Sequence, residues 1–128
     1  MEYVHLVILL GLVEYIFFVA QVGVARGKYE VPAPGMSGNE DFERVLRVQL
    51  NTHEQLILFI PGMLGFAHYV SPMWAAIIGS VYLVGRILYF IGYRQAAEKR
   101  AVGAGMSLLP NMILVVGAVI GLIVSLVS

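Results

Sequence analysis

Residues 3–25 read YVHLVILLGLVEYIFFVAQVGVA, an apolar run interrupted only by His5, Glu14 and Gln21. As a helix rising about 1.5 Å per residue, the run is roughly 34 Å long, enough to cross a bilayer. It is too long for a signal-peptide core and is read as a spanning helix. The rest of the chain has the same character. Of its 128 residues, 59% are hydrophobic and 12% charged, with a mean hydropathy of +0.84. An ordinary soluble domain carries about twice that charge. This composition excludes a soluble globular protein, a disordered chain and a nucleic-acid binder, and the net charge of zero gives no field to attract a polyanion. There is no cysteine, so disulfides, thiolate metal sites and a cysteine nucleophile are excluded.

Three more spans follow outward from the first. Residues 27–41 carry Pro32, Pro34, Gly35, Ser37 and Gly38 and read as a loop. The second span, 42–70, begins with polar turns (Arg44, Arg47, Gln49, Asn51, His53, Glu54, Gln55) and becomes apolar from Leu56, with Pro61 expected to bend it. Ser71-Pro72 has the form of an N-cap followed by proline at the first helical position, which predicts a tight link to the third span, 73–93. That helix is expected to continue to Arg100, with Gly103 and Gly105 breaking the chain before a fourth span, 108–127, whose first turn holds Pro110. The reading is a single domain over 1–128. Its fold class is all-α, an integral membrane four-helix bundle of up-down topology. Seven of the eight basic residues lie in or beside the first and third loops, and the eighth, Arg86, lies near the same side. The positive-inside rule puts those loops in the cytoplasm and both termini on the opposite side.

Polar groups at membrane depth are expensive, so each is a candidate for function. Arg44, Arg47, Asn51 and Glu54 share one stripe of the second helix, while Gln49 points about 200° away from Arg47. Arg86, Tyr89, Tyr93 and Arg100 form a stripe on the third helix. If the stripes meet, they offer guanidiniums, amides, phenols and a carboxylate at one depth, suited to a zwitterionic ligand with several carboxylates and an amine. The alternative is structural: Glu54 paired with Arg47 or Arg86, and tyrosines serving as interfacial belt residues. Glu14 is either a proton-coupling carboxylate or a buried partner for another span. No local His, Asp or Glu spacing indicates a metal. Gly117 and Gly121 fit a small-residue helix contact.

The stretch Asp41-Phe42-Glu43-Arg44-Val45-Leu46-Arg47-Val48-Gln49-Leu50-Asn51-Thr52-His53-Glu54 closely resembles the F-E-R-V-x-R-x-Q-x-N-x-x-E motif of the MAPEG family, the membrane-associated proteins in eicosanoid and glutathione metabolism. Val81 to Tyr93, followed by Arg100, is similar to the family's third-helix pattern, and the resemblance extends over the whole chain. It implies a homotrimer binding glutathione between adjacent subunits on the cytoplasmic side. By motif position, Arg47, Asn51, Glu54, Tyr89 and Tyr93 bind glutathione from one subunit and Arg26 and Gln49 from its neighbour. Arg86 supports them, and Arg100 activates the thiol as the catalytic residue. Glutathione is then a co-substrate, no metal is needed, and the partner substrate is an apolar electrophile or lipid from the bilayer. Gly27 and Gln55 depart from the leukotriene synthase branch, which has arginine and tyrosine there. The departures favour a general glutathione transferase or peroxidase with a detoxification role. Two other readings remain: a non-enzymatic lipid-binding protein of the same fold, and a small proton-coupled exporter using Glu14.

Overall fold

The structure is a computed structural model that describes residues 1–95 and 101–128, with side chains described up to Gly92 and again from Ala101. Its described elements are α1 (Glu2–Tyr29), α2 (Glu40–Tyr69), α3 (Pro72–Gln95) and α4 (Ala101–Val127). The expected spans are all helical, and each helix begins before its expected span, α4 by seven residues. Three of the helices, α1, α3 up to Gly92, and α4, are long and apolar enough to cross a membrane. The fourth expected span, α2, does not qualify on composition, because its first half is polar.

The ends of the helices are specified locally. Asn39 caps α2, its side chain accepting from the Phe42 N–H at 3.0 Å. Glu40, Asp41 and Glu43 place negative charge in the first turn, where the helix dipole favours it. Arg44 turns back to this acidic turn, pairing with Glu40 at 2.7 Å and Asp41 at 3.0 Å. It therefore leaves the stripe expected for it. Ser71 Oγ accepts from Trp74 N at 3.3 Å and Pro72 opens α3, as the sequence indicated. Only Val70 and Ser71 separate α2 from α3.

The α2 and α3 helices pack on each other and each packs on both α1 and α4, so the outer helices flank a central pair. The main core joins Val4, Val7 and Ile8 of α1 with Phe59, Met63 and Phe66 of α2, Ala75 and Tyr82 of α3 and Leu114 of α4. Much of the outer surface is apolar. Leu6, Leu9, Val13 and Ile16 on α1, and Val116, Val119, Ile120 and Ile123 on α4, are exposed. In a bilayer such a surface meets acyl chains or another subunit.

The break expected at Gly103 and Gly105 does not occur; both lie inside α4, and Pro110 lies well inside the helix rather than in its first turn. The reason is packing. A Cβ on Gly103 would run into the backbone of Tyr89, and one on Gly85 would come within 2.6 Å of the Met106 carbonyl carbon. These glycines let the α3 and α4 backbones touch. Pro110 has no N–H to offer the Met106 carbonyl four residues back, and that carbonyl is the group seated against Gly85. Gly117 and Gly121 admit Phe66 and Tyr69 of α2 in the same way, as their spacing indicated. Gly105 meets nothing within 4 Å. We therefore expect Gly103→Ala to lower detergent-solubilised thermal stability by about 1–3 kcal/mol through overpacking. Gly105→Ala should leave it unchanged or raised. Equal effects at the two positions in a thermal unfolding series would refute this packing account.

Candidate functional site

Arg86 is fully buried. Helical spacing along α3 turns it inward, four residues after Tyr82 and three before Tyr89, and both of these are buried too. Its guanidinium crosses to α2: Nη1 donates to Asn51 Oδ1 at 2.9 Å, and Nη2 donates to Thr52 Oγ1 at 2.7 Å. Thr52 Oγ1 donates its hydrogen bond to the Val48 carbonyl at 2.7 Å, so the hydroxyl's lone pairs are left for the arginine. The Tyr89 ring lies 4.5 Å from the Arg86 guanidinium carbon, a cation–π contact. The α2 and α3 stripes thus meet, through Arg86 and Asn51.

The rest of the α2 stripe faces outward. Arg47 and Glu54 are exposed, while Asn51 is half-buried between them and Arg86. Neither Arg47–Glu54 nor Arg86–Glu54 forms an ion pair among the described residues, which removes the structural pairing weighed for Glu54. Gln49 does face away from Arg47. It points to α1, its Nε2 donating to the Tyr15 hydroxyl at 3.1 Å, and that hydroxyl lies 3.1 Å from His53 Nδ1. Arg26 is half-buried near the end of α1, and its Nη1 donates to the Val31 and Gly35 carbonyls at 3.3 and 2.7 Å. Its guanidinium carbon sits 5.0 Å from the Phe42 ring centroid. In this chain Arg26 fastens the first loop onto α1 and α2. Tyr93 lies on the described backbone of α3, but its side chain lies outside the described residues, as does the whole of Arg100.

Sequence reasoning missed three polar residues that shape this region. Thr52 is the second acceptor for Arg86. Tyr15 links Gln49 to His53. Asn111, fully buried on α4, donates to the Gln55 side chain at 2.7 Å and to the Gln55 carbonyl at 3.2 Å. Asn111 carried a usable signal, since an amide inside an apolar span needs a partner on a neighbouring helix. Gln55 is then more than the loss of a tyrosine: its side chain ties α4 to α2. Among the described residues no cluster of three His, Cys, Asp or Glu could hold a metal ion.

An all-helical bundle with three helices of membrane-spanning length and an arginine sealed at its centre is a membrane protein. Comparison with known proteins makes this specific. The MAPEG family profile matches residues 4–120. Bovine microsomal glutathione S-transferase 2 is 41% identical over 104 residues, covering 80% of this chain and 71% of that one. Bovine leukotriene C4 synthase is 34% identical over 117 residues, 91% and 78% of the two chains. A functionally uncharacterised protein of Synechocystis sp. is 58% identical over 109 residues, 85% and 80%. The chain belongs to the MAPEG family.

The Arg86 network generates a stability prediction. Thr52→Val keeps the shape but leaves one buried guanidinium donor unmet, at a cost of about 1–3 kcal/mol. Thr52→Ser should retain most of the parent's stability. Thermal unfolding in detergent separates the two, and a Thr52→Val protein as stable as the parent would show that this hydrogen bond contributes nothing.

Proposed function

We propose that the chain is a membrane glutathione transferase whose site lies at a subunit boundary of a homotrimer. Its first and third loops face the cytoplasm. The observation that carries the reading is the α2 stripe, in which Asn51 is held by Arg86 and flanked by the exposed Arg47 and Glu54. Arg47 supplies a fork for a glutathione carboxylate and Glu54 an anion for its ammonium. Asn51, Tyr89 and Tyr93 supply hydrogen bonds, with Arg26 and Gln49 contributed by the adjacent subunit. Two facts support a shared boundary. Polar groups leave α2 in two directions, Arg47 outward and Gln49 toward α1. The stripe is also uncovered in a single chain. Relatives named as glutathione S-transferases support glutathione as the co-substrate.

The mechanism rests on the thiol. A free thiol titrates near pH ~8.5 and only its thiolate is a good nucleophile. Arg100 lowers that value by favouring the anion, and a partly dehydrated site strengthens the effect. The thiolate sulfur then bonds to the electrophilic carbon of an apolar substrate, displacing its leaving group. With a lipid hydroperoxide the sulfur instead attacks the terminal peroxide oxygen: the O–O bond breaks, the lipid alcohol leaves after taking up a proton, and the resulting glutathione sulfenic acid condenses with a second glutathione to the disulfide and water. A membrane location suits a co-substrate dissolved in the bilayer. A non-catalytic lipid-binding reading draws on the apolar groove of about 740 Å³ between α1 and α3, lined by Val7, Leu10, Ala76 and Leu83. A conjugation assay with chlorodinitrobenzene separates it from the transferase reading.

Three outcomes are expected. Mass measurement of the detergent complex should give three subunits; a monomer with full glutathione affinity would overturn the shared site. Glu54→Gln should weaken glutathione binding while the trimer persists; unchanged affinity with lower thermal stability would make Glu54 structural. Arg100→Ala should raise the pH at which bound thiolate forms, read by its ultraviolet absorbance, and should slow turnover more than it weakens binding. Thiolate formation and conjugation identical to the parent would reduce Arg100 to a membrane-surface anchor.

A further inference from the structure

Glu14 is a carboxyl group at membrane depth that the glutathione reading leaves unused. It sits on α1, half-buried, with its Oε1 closed to solvent and without a hydrogen-bonding partner. Its neighbours fix what it faces. Three residues earlier, Gly11 abuts Phe59 and Leu83, and the Phe59 ring stacks on Tyr82 with centroids 4.1 Å apart. Four residues later, Phe18 packs on Phe90 with centroids 5.2 Å apart. Gly11 and Phe18 are two helical turns apart on α1, as Leu83 and Phe90 are on α3. Between these contacts, Glu14 on α1 lies level with Arg86 on α3.

The chemistry of the three groups at that level is complementary. Tyr82 Oη and Arg86 Nε are buried and, like Glu14 Oε1, have no hydrogen-bonding partner. A carboxylate only accepts, whereas a phenol and a guanidinium N–H each have a hydrogen to give. The three groups lie within electrostatic range of one another. No direct hydrogen bond joins them, and a water among them would give each of the three unmet atoms a partner. The remaining donors of Arg86 go to neutral acceptors on α2, Asn51 and Thr52, with the Tyr89 ring against it. Among the described residues around it, Glu14 on α1 is the carboxyl group that bears on its charge.

We propose that Glu14 is the counter-ion of Arg86, joined to it and to the Tyr82 hydroxyl through an internal water, and that it positions the glutathione site. It holds Arg86 in the register from which Nη1 meets Asn51 Oδ1, which turns the Asn51 amide nitrogen outward as a donor. This rests on the assignment of Asn51 to glutathione made above. Glu14 touches no reacting atom; it acts through Arg86 and Asn51.

The experiment measures glutathione affinity by calorimetry for the parent, Glu14→Gln, Glu14→Asp, Asn51→Ala and the Glu14→Gln/Asn51→Ala double variant. In parallel, the Arg86 Nε–H resonance, assigned through Arg86→Lys, is followed in nitrogen-15-labelled protein without glutathione. Glu14→Gln should weaken binding about tenfold, the scale of a lost charge-assisted hydrogen bond. Glu14→Asp should recover part of that loss. The double variant should bind no more weakly than Asn51→Ala alone, because the two residues act in series. The Arg86 Nε–H signal should move in Glu14→Gln. Additive losses in the double variant, or an Arg86 signal that Glu14→Gln leaves in place, would overturn the proposal. If Asn51→Ala itself binds glutathione like the parent, the glutathione assignment fails, and the Arg86 signal still decides whether Glu14 is its counter-ion.

Discussion

Moving a guanidinium from water into an apolar bundle costs several kcal/mol unless its donors are met and its charge is matched. Arg86 is enclosed between α2 and α3 under that constraint, and much of the bundle answers to it. Thr52 and Asn51 on α2 accept from it and the Tyr89 ring lies against it, with Glu14 of α1 its proposed counter-ion. The polar first half of α2, which disqualifies it as an independent span, supplies the hydrogen bonds that hold α3. An amide that would otherwise be mobile on a helix surface is fixed by the same contact. Asn51 is therefore preorganised before any ligand arrives, which is what a recognition site requires.

How far the chain announced this in advance depends on the kind of interaction. The apolar runs of α1, α3 and α4 were plain because membrane depth tolerates little else. The motif from Phe42 to Glu54 placed the polar stripe, and its spacing sent Gln49 to the opposite face, where the structure finds it hydrogen-bonded to Tyr15. Gly103 misled, because glycine has two opposite uses. It ends a helix when the chain needs freedom, and it lies within one when another backbone must pass close by, as Tyr89 does here. Pair identities were hidden as well. Glu54 looked a suitable partner for Arg86, but α2 turns Asn51 and Thr52 toward α3 and leaves Glu54 outside. One residue of helical phase, about 100°, decides such a question, and a one-dimensional pattern cannot resolve it for both helices at once. Thr52 and Tyr15 were unremarkable in sequence because a hydroxyl becomes informative only when its partner is known.

The outer surface carries the second constraint. The α4 helix exposes much of its apolar length, and α1 a broad apolar face, so a single chain presents surface that is stable only against lipid or protein. Arg47 and Glu54 stand exposed on the central helix. A ligand bound there by one chain alone would have protein on one side only. An adjoining subunit would enclose it, lower the local dielectric and strengthen each charged contact. The proposed subunit boundary would cover the open polar stripe, while the apolar exterior is suited to lipid as well as to a second subunit.

A glutathione site on the polar stripe of α2 must bind glutathione at equilibrium in the absence of a second substrate. Equilibrium dialysis of labelled glutathione against the purified, detergent-solubilised protein tests it most directly, with glutathione sulfonate as a competitor that carries a permanent anion at the sulfur position. Saturable binding is expected, displaced by the sulfonate and weakened by Arg47→Ala. Folded protein that shows no saturable uptake at millimolar glutathione would contradict it.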